Sequence, residues 1–177
     1  IDRDVNLDVA VRRIAWGKFF NAGQTCVAPD YVLVHETVKK PFLDKMAQVV
    51  REFYGDDPQK SPDYTRIVNA RHHKRLSALL ESGKAFIGGK TDADDRYIAP
   101  TVLTDVSPDS PVMREEIFGP ILPVLTIASL DEAIRFVNDR DKPLALYVFS
   151  NDADRAQTVI DQTSSGGGCV NDCVMHL

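Results

Sequence analysis

Leu7, Val11, Ile14, Ala15 and Phe19 recur at the spacing of one helical face. Val9, Trp16 and Phe20 add apolar surface on the other sides, so the pattern predicts a helix buried around most of its circumference. Asn6 is placed to cap that helix, Asp8 meets the positive end of its dipole, and the helix should end near Gly23. The β-branched and aromatic run Tyr31 to Val34 predicts a strand, followed by an amphipathic helix with Phe42, Leu43, Met46, Val49, Val50 and Phe53 on one stripe. A polar loop from Asp56 to Asp63 then leads to a helix marked by Leu76, Leu79 and Leu80, which Gly83 can terminate. Further strands are expected at Ala85 to Ile87, Tyr97 to Leu103, Ile121 to Ile127 and Leu144 to Phe149, with a charged turn from Gly88 to Asp95. Ser129 and Glu132 have capping-box spacing ahead of Ala133, Ile134 and Val137, and a last helix, Ala153 to Ile160, precedes the run Cys169 to Met175. Strands that alternate with helices need crossover connections. The expected fold is therefore a single α/β domain, residues 1–177, with an open, mostly parallel sheet and helices on both faces.

Composition narrows the function classes. Of 177 residues, 44% are apolar, enough for a continuous core, and 21 basic against 26 acidic side chains give a net charge of −5. Binding to nucleic acid through phosphate contacts requires an excess of clustered Lys and Arg that this balance does not offer. The longest apolar run, Ile121 to Ile127, is interrupted by Pro123 and is too short to cross a bilayer. Cys26, Cys169 and Cys173 are too few for a disulfide framework, so a reducing compartment, and hence a cytoplasmic location, is the expectation. The chain starts at Ile1, without a charged segment and apolar run of signal-peptide type, and reads as an excised piece of something longer.

Two loops are shaped for chemistry. Cys26 follows the first helix in Phe19-Phe20-Asn21-Ala22-Gly23-Gln24-Thr25-Cys26-Val27-Ala28-Pro29, where Gly23 permits a turn and Pro29 stiffens the exit. Such a thiol is either presented at the mouth of a cleft or packed as a small hydrophobe. The segment from Pro111 to Pro120 holds Glu115, Glu116 and Phe118 ahead of a core strand. Its carboxylates beside an exposed aromatic suit sugar hydroxyls; alternatively it is a solvated acidic turn with Phe118 plugging the core. Cys169, Cys173 and His176 have helical spacing for a metal site, but the preceding glycines favour a strand, on which His176 would point away from both thiols, so no metal site is expected. His72 and His73, among Arg71, Lys74 and Arg75, read as a basic solvated face, and His35 as a surface residue after a strand.

Taken together, Phe19-x-x-x-Gly23-Gln24-x-Cys26 and Glu115-Glu116-Ile117-Phe118-Gly119-Pro120 resemble the two signature segments of the aldehyde dehydrogenase superfamily. The likeness extends through Arg13 to Lys18, Ala28 to Tyr31, Glu52 to Gly55, Arg96 to Thr101, Lys142 to Tyr147 and Ser164 to Gly167, and it is closest to the class 3 branch. The resemblance implies a catalytic domain whose Cys26 thiolate attacks an aldehyde, medium or long aliphatic or aromatic. The resulting thiohemiacetal gives hydride to NAD or NADP, and water releases a carboxylic acid from the thioester. It implies that the Cys26 amide helps bind the oxyanion, that Glu116 binds the nicotinamide ribose and that Phe118 packs beside it. It also implies a homodimeric parent in which the dinucleotide-binding domain, the water-activating glutamate and the oligomerisation segment lie outside this chain, leaving the piece inactive alone. The competing readings are a cysteine-dependent esterase or acyl-transfer domain and a non-catalytic assembly domain.

Overall fold

The computed structural model describes residues 1–176. Asn6 caps helix α1, Leu7–Phe19, accepting from the amide of Val9, and a short 3-10 turn carries the chain on through Gly23. Strand β1, Val32–His35, passes directly into the long helix α2, Glu36–Tyr54. Helix α3, Ala70–Leu79, is followed by β2, Lys84–Ile87, a small hairpin of β3, Thr91–Asp92, and β4, Tyr97–Ile98, and then β5, Thr101–Thr104. Strand β6, Ile121–Ile127, helix α4, Leu130–Asn138, strand β7, Ala145–Val148, helix α5, Ala153–Gln162, and strand β8, Gly167–Val170, complete the chain.

The main sheet has the order β1-β6-β5-β2, with β1 and β5 parallel to β6 and β2 antiparallel at the edge. β7 and β8 form a separate parallel pair. The expected α/β class holds, with a mostly parallel open sheet, though the strands fall into more than one sheet. Alternation along the central strands explains the two-sided cover: Val102, Leu122 and Val124 pack with α1 and α2, whereas Leu103 and Ile121 pack with Leu76 and Leu79 of α3. A third small core, Ile134, Val148, Ala156 and Val159, joins α4 and α5 to β7.

Several expectations need correction. α1 is not buried all round: Val9, Trp16 and Phe20 are exposed, with the Trp16 and Phe20 rings stacked on each other at 5.5 Å. His35 is buried at the end of β1, where its Nδ1 accepts from the Thr37 amide and caps α2. His73 is buried too, its Nε2 2.9 Å from the Tyr97 carbonyl, because α3 turns that side of its basic face onto the β4 strand. Ser129 accepts from the Glu132 amide as a capping box requires, but Glu132 returns its carboxylate to the amide of Ala128. The expected extended run after Cys169 stops at Val170, since Asn171 takes a positive φ of 57° and the chain bends. His176 consequently swings back to within 3.8 Å of the Cys169 sulfur instead of pointing away from it. Cys173 is fully buried.

Candidate functional site

The Cys26 loop is folded by local backbone conformation and then pinned from two sides. Asn21, Ala22 and Gly23 all have positive φ, which turns the chain sharply out of α1. The Gln24 side chain donates to the carbonyls of Asn21 (3.0 Å) and Arg66 (3.1 Å), and accepts from the Val68 amide at 2.9 Å. From the far side, the Tyr147 hydroxyl of β7 donates to the Val27 carbonyl at 2.7 Å. Val27 is buried while Cys26 is left exposed, so the packed-thiol reading does not describe this cysteine.

The second loop is held as firmly. Ile117 is fully buried and anchors the turn, while Glu115, Glu116 and Phe118 stay exposed on its surface. Arg75 of α3 donates to the Ile117 carbonyl at 2.5 Å and the Glu116 carbonyl at 3.4 Å, and pairs with the Glu115 carboxylate at 3.2 Å. Phe118 adopts φ 48°, unusual for a bulky residue, which turns its ring out of the core that the plug reading assigned to it. Gly119 lies so close to α3 that a Cβ there would come within 2.5 Å of Leu76.

The two loops touch. A Cβ on Gly23 would sit 2.2 Å from the carbonyl oxygen of Gly119, so only glycine allows this approach. The Asp30 carboxylate, four residues beyond Cys26, accepts from the Ile117 amide at 3.0 Å. Behind them lies Lys18, 1% exposed. Burial pushes its ammonium down to about 8 against the opposing fields of Asp30 and Glu116, and burial likewise raises the Asp30 carboxyl against the pull of Lys18.

The structure therefore brings Cys26, Glu116 and Phe118 to the wall of one cavity of about 700 Å³. Leu144, Leu146, Tyr147 and Val137 give the same cavity an apolar side. Glu116 presents its carboxylate without a protein hydrogen-bond partner among the described residues, and the Cys26 amide likewise meets no acceptor there. Sequence reasoning gives no site role to Lys18, Asp30 or Tyr147, and places Arg75 only on a basic solvated face, whereas it bonds to the 115–117 turn. Lys18 alone carried a signal, because it continues the Leu7, Val11, Ile14 stripe and so is a lysine on a core face.

The aldehyde dehydrogenase family profile matches residues 1–176. The chain belongs to the aldehyde dehydrogenase family. It is 56% identical to mouse aldehyde dehydrogenase family 3 member A2, matched over all of this chain and 37% of that protein. Over its whole length it is 54% identical to the bovine "aldehyde dehydrogenase, dimeric NADP-preferring", of which it covers 74%. A solved structure described as the substrate-bound state of Staphylococcus aureus AldH superposes with a TM-score of 0.97 at 55% identity, over 99% of this chain and 39% of that one. The chain thus spans little more than a third of the length of the mouse relative. The family implies a nicotinamide cofactor, and the residues present fit it in part. An unpartnered carboxylate suits vicinal hydroxyls, and an exposed aromatic face beside it suits a planar ring.

Proposed function

We propose that this chain is the thiol-bearing catalytic domain of an NAD(P)-dependent aldehyde dehydrogenase that oxidises medium or long aliphatic, or aromatic, aldehydes to carboxylic acids. The observation that carries the reading is Cys26, exposed on a loop fixed at both flanks, on the same cavity wall as Glu116 and Phe118. The Cys26 thiolate adds to the aldehyde carbon, forming the C–S bond while the carbonyl electron pair moves onto oxygen. The Cys26 amide, unpaired among the described residues, is available to that oxyanion. Glu116 and Phe118 would hold the ribose end of the cofactor, which when bound would accept the hydride that the adduct carbon loses as it becomes a thioester. Water then cleaves the C–S bond of the thioester and returns the thiol. The apolar side of the cavity supports a substrate with a hydrocarbon tail. The name of the bovine relative supports a homodimer and NADP or NAD as cofactor.

The test measures aldehyde-dependent reduction of NAD and NADP by the full-length protein carrying this chain, together with iodoacetamide labelling of each cysteine. Cys26→Ser should abolish turnover, and Cys26 should label well ahead of Cys173, which is buried. Wild-type-like oxidation by Cys26→Ser would refute the reading. So would labelling of Cys26 no faster than Cys173, an outcome that favours an assembly domain.

A further inference from the structure

We propose that Asp30 is a positioning residue that locks the Glu116 turn in register with the Cys26 loop. The inference rests on the function proposed above and extends it from the residues that touch reactants to the one that couples them. Asp30 and Cys26 share one short loop, so whatever Asp30 grips is held at a fixed distance from the sulfur. Its carboxylate grips the Ile117 amide, which lies between the two cofactor-facing residues Glu116 and Phe118.

Ala22 of the Cys26 loop and Ile117 of the turn share one apolar core, a non-directional contact that leaves the register of the two loops to a directed bond. Arg75 holds the same turn through the carbonyls of Glu116 and Ile117, but it belongs to α3 and ties the turn to the opposite face of the sheet. The Gly23 to Gly119 contact is a steric limit, which stops the loops approaching further without stopping them from separating. Among the described residues, Asp30 is the side chain that hydrogen-bonds from one loop to the other. Burial raises the Asp30 carboxyl, and the buried Lys18 ammonium together with the Ile117 amide opposes that rise. A protonated Asp30 would lose half its acceptor character, and an unpaired pair of carboxylates would push the turn outward.

The consequence is selective. Addition of the thiolate to a carbonyl needs only the Cys26 loop, whereas hydride transfer also needs the nicotinamide held at that carbon by the 116–118 turn. Displacement by about 1 Å suffices to slow such a step about a hundredfold. Loss of the Asp30 bond should therefore damage oxidation and spare acyl transfer.

The experiment uses the full-length protein with Asp30→Ala and Asp30→Asn, and three readouts. Hydrogen exchange of the 114–119 segment, followed without cofactor, should accelerate by about five- to tenfold in Asp30→Ala, as expected for one lost hydrogen bond. Aldehyde oxidation should fall by about ten- to a hundredfold, while cofactor-free hydrolysis of an activated aryl ester at Cys26 changes less than about threefold, which also shows that the variant is folded. Asp30→Asn, whose amide oxygen can still accept from Ile117, should recover most of the exchange protection and most of the oxidation. Unchanged exchange in Asp30→Ala would overturn the proposal, as would oxidation and ester hydrolysis falling together, or an Asp30→Asn variant as impaired as alanine. Failure of the functional reading is separate: it would appear as Cys26→Ser retaining oxidation, and the exchange measurement would still decide the role of Asp30.

Discussion

Replacing Asp2 by asparagine should destabilise the domain by about 2 kcal/mol at neutral pH, through loss of a buried ion pair. The Asp2 side chain is 2% exposed and accepts from Arg155 Nε and Nη2 at 2.7 Å each, from the Ser150 hydroxyl at 2.8 Å and from the Arg3 amide at 2.8 Å. Burial alone would raise its carboxyl. The donors, led by Arg155, outweigh burial and hold it at about 2, against 3.8 for the free side chain. At about 1.4 kcal/mol per pH unit, this depression corresponds to about 2 kcal/mol of stability. Because the folded state binds the proton less tightly than the unfolded chain, that stability is fully present above pH 3.8 and is lost as pH falls through about 2. The contribution should be roughly half its neutral value near pH 3. The pair also has a structural task. Residues 2 to 4 bond to the end of β7 through the Asp2 amide to the Phe149 carbonyl and the Asn151 amide to the Asp4 carbonyl, so Asp2 and Arg155 tie α5 and β7 to the main sheet across the cavity. Urea unfolding followed by emission of Trp16, the single tryptophan, measures the difference between wild type and Asp2→Asn at several pH values. A gap that stays constant from pH 7 to about 2.5, or one below about 0.5 kcal/mol at neutrality, would refute the reasoning.

Gly23→Ala forces an L side chain into φ 71° and against the Gly119 carbonyl, so it should cost at least about 2 kcal/mol and separate the two loops, read as lost stability together with faster exchange of the 114–119 segment. Tyr147→Phe removes the bond to the Val27 carbonyl and should cost about 1 kcal/mol in denaturant titration. Burial pushes the Tyr147 phenol up to about 12, so the donor stays protonated and this cost should be flat from about pH 5 to pH 9.

What the sequence made legible follows from how local each determinant is. β6 has the bounds its sequence predicts, because a strand buried on both faces is a continuous apolar run and Ser129 punctuates its end. The caps at Asn6 and Ser129 depend on residues three positions away and were equally readable. Burial of individual side chains was not, since it depends on what lies opposite. Trp16 and Phe20 looked like core residues but stack on each other facing outward, while His35, His73 and Lys18 looked polar and are enclosed. Cys169 and His176 approach each other for a related reason: the strand ends at Val170, and the bend at Asn171 reverses which side chains converge.

The meeting of the Cys26 and Glu116 loops is a consequence of topology that neither loop contains. The first loop feeds β1 and the second feeds β6, and these strands are adjacent and parallel, with Val32 opposite Val124. Parallel neighbours begin at the same edge of a sheet, so segments entering them are brought side by side however far apart they lie in the chain. This edge is the amino end of both strands. The cavity lined by Cys26 and Glu116 also reaches His35 and Ile127 at the carboxyl ends of the same two strands. The side chains that complete the arrangement come from elements that cross that edge: Arg75 from α3, Tyr147 from β7 and Lys18 from the last turn of α1. None of them lies in either loop, and each makes its contact where the parallel pairing has brought the two loops side by side.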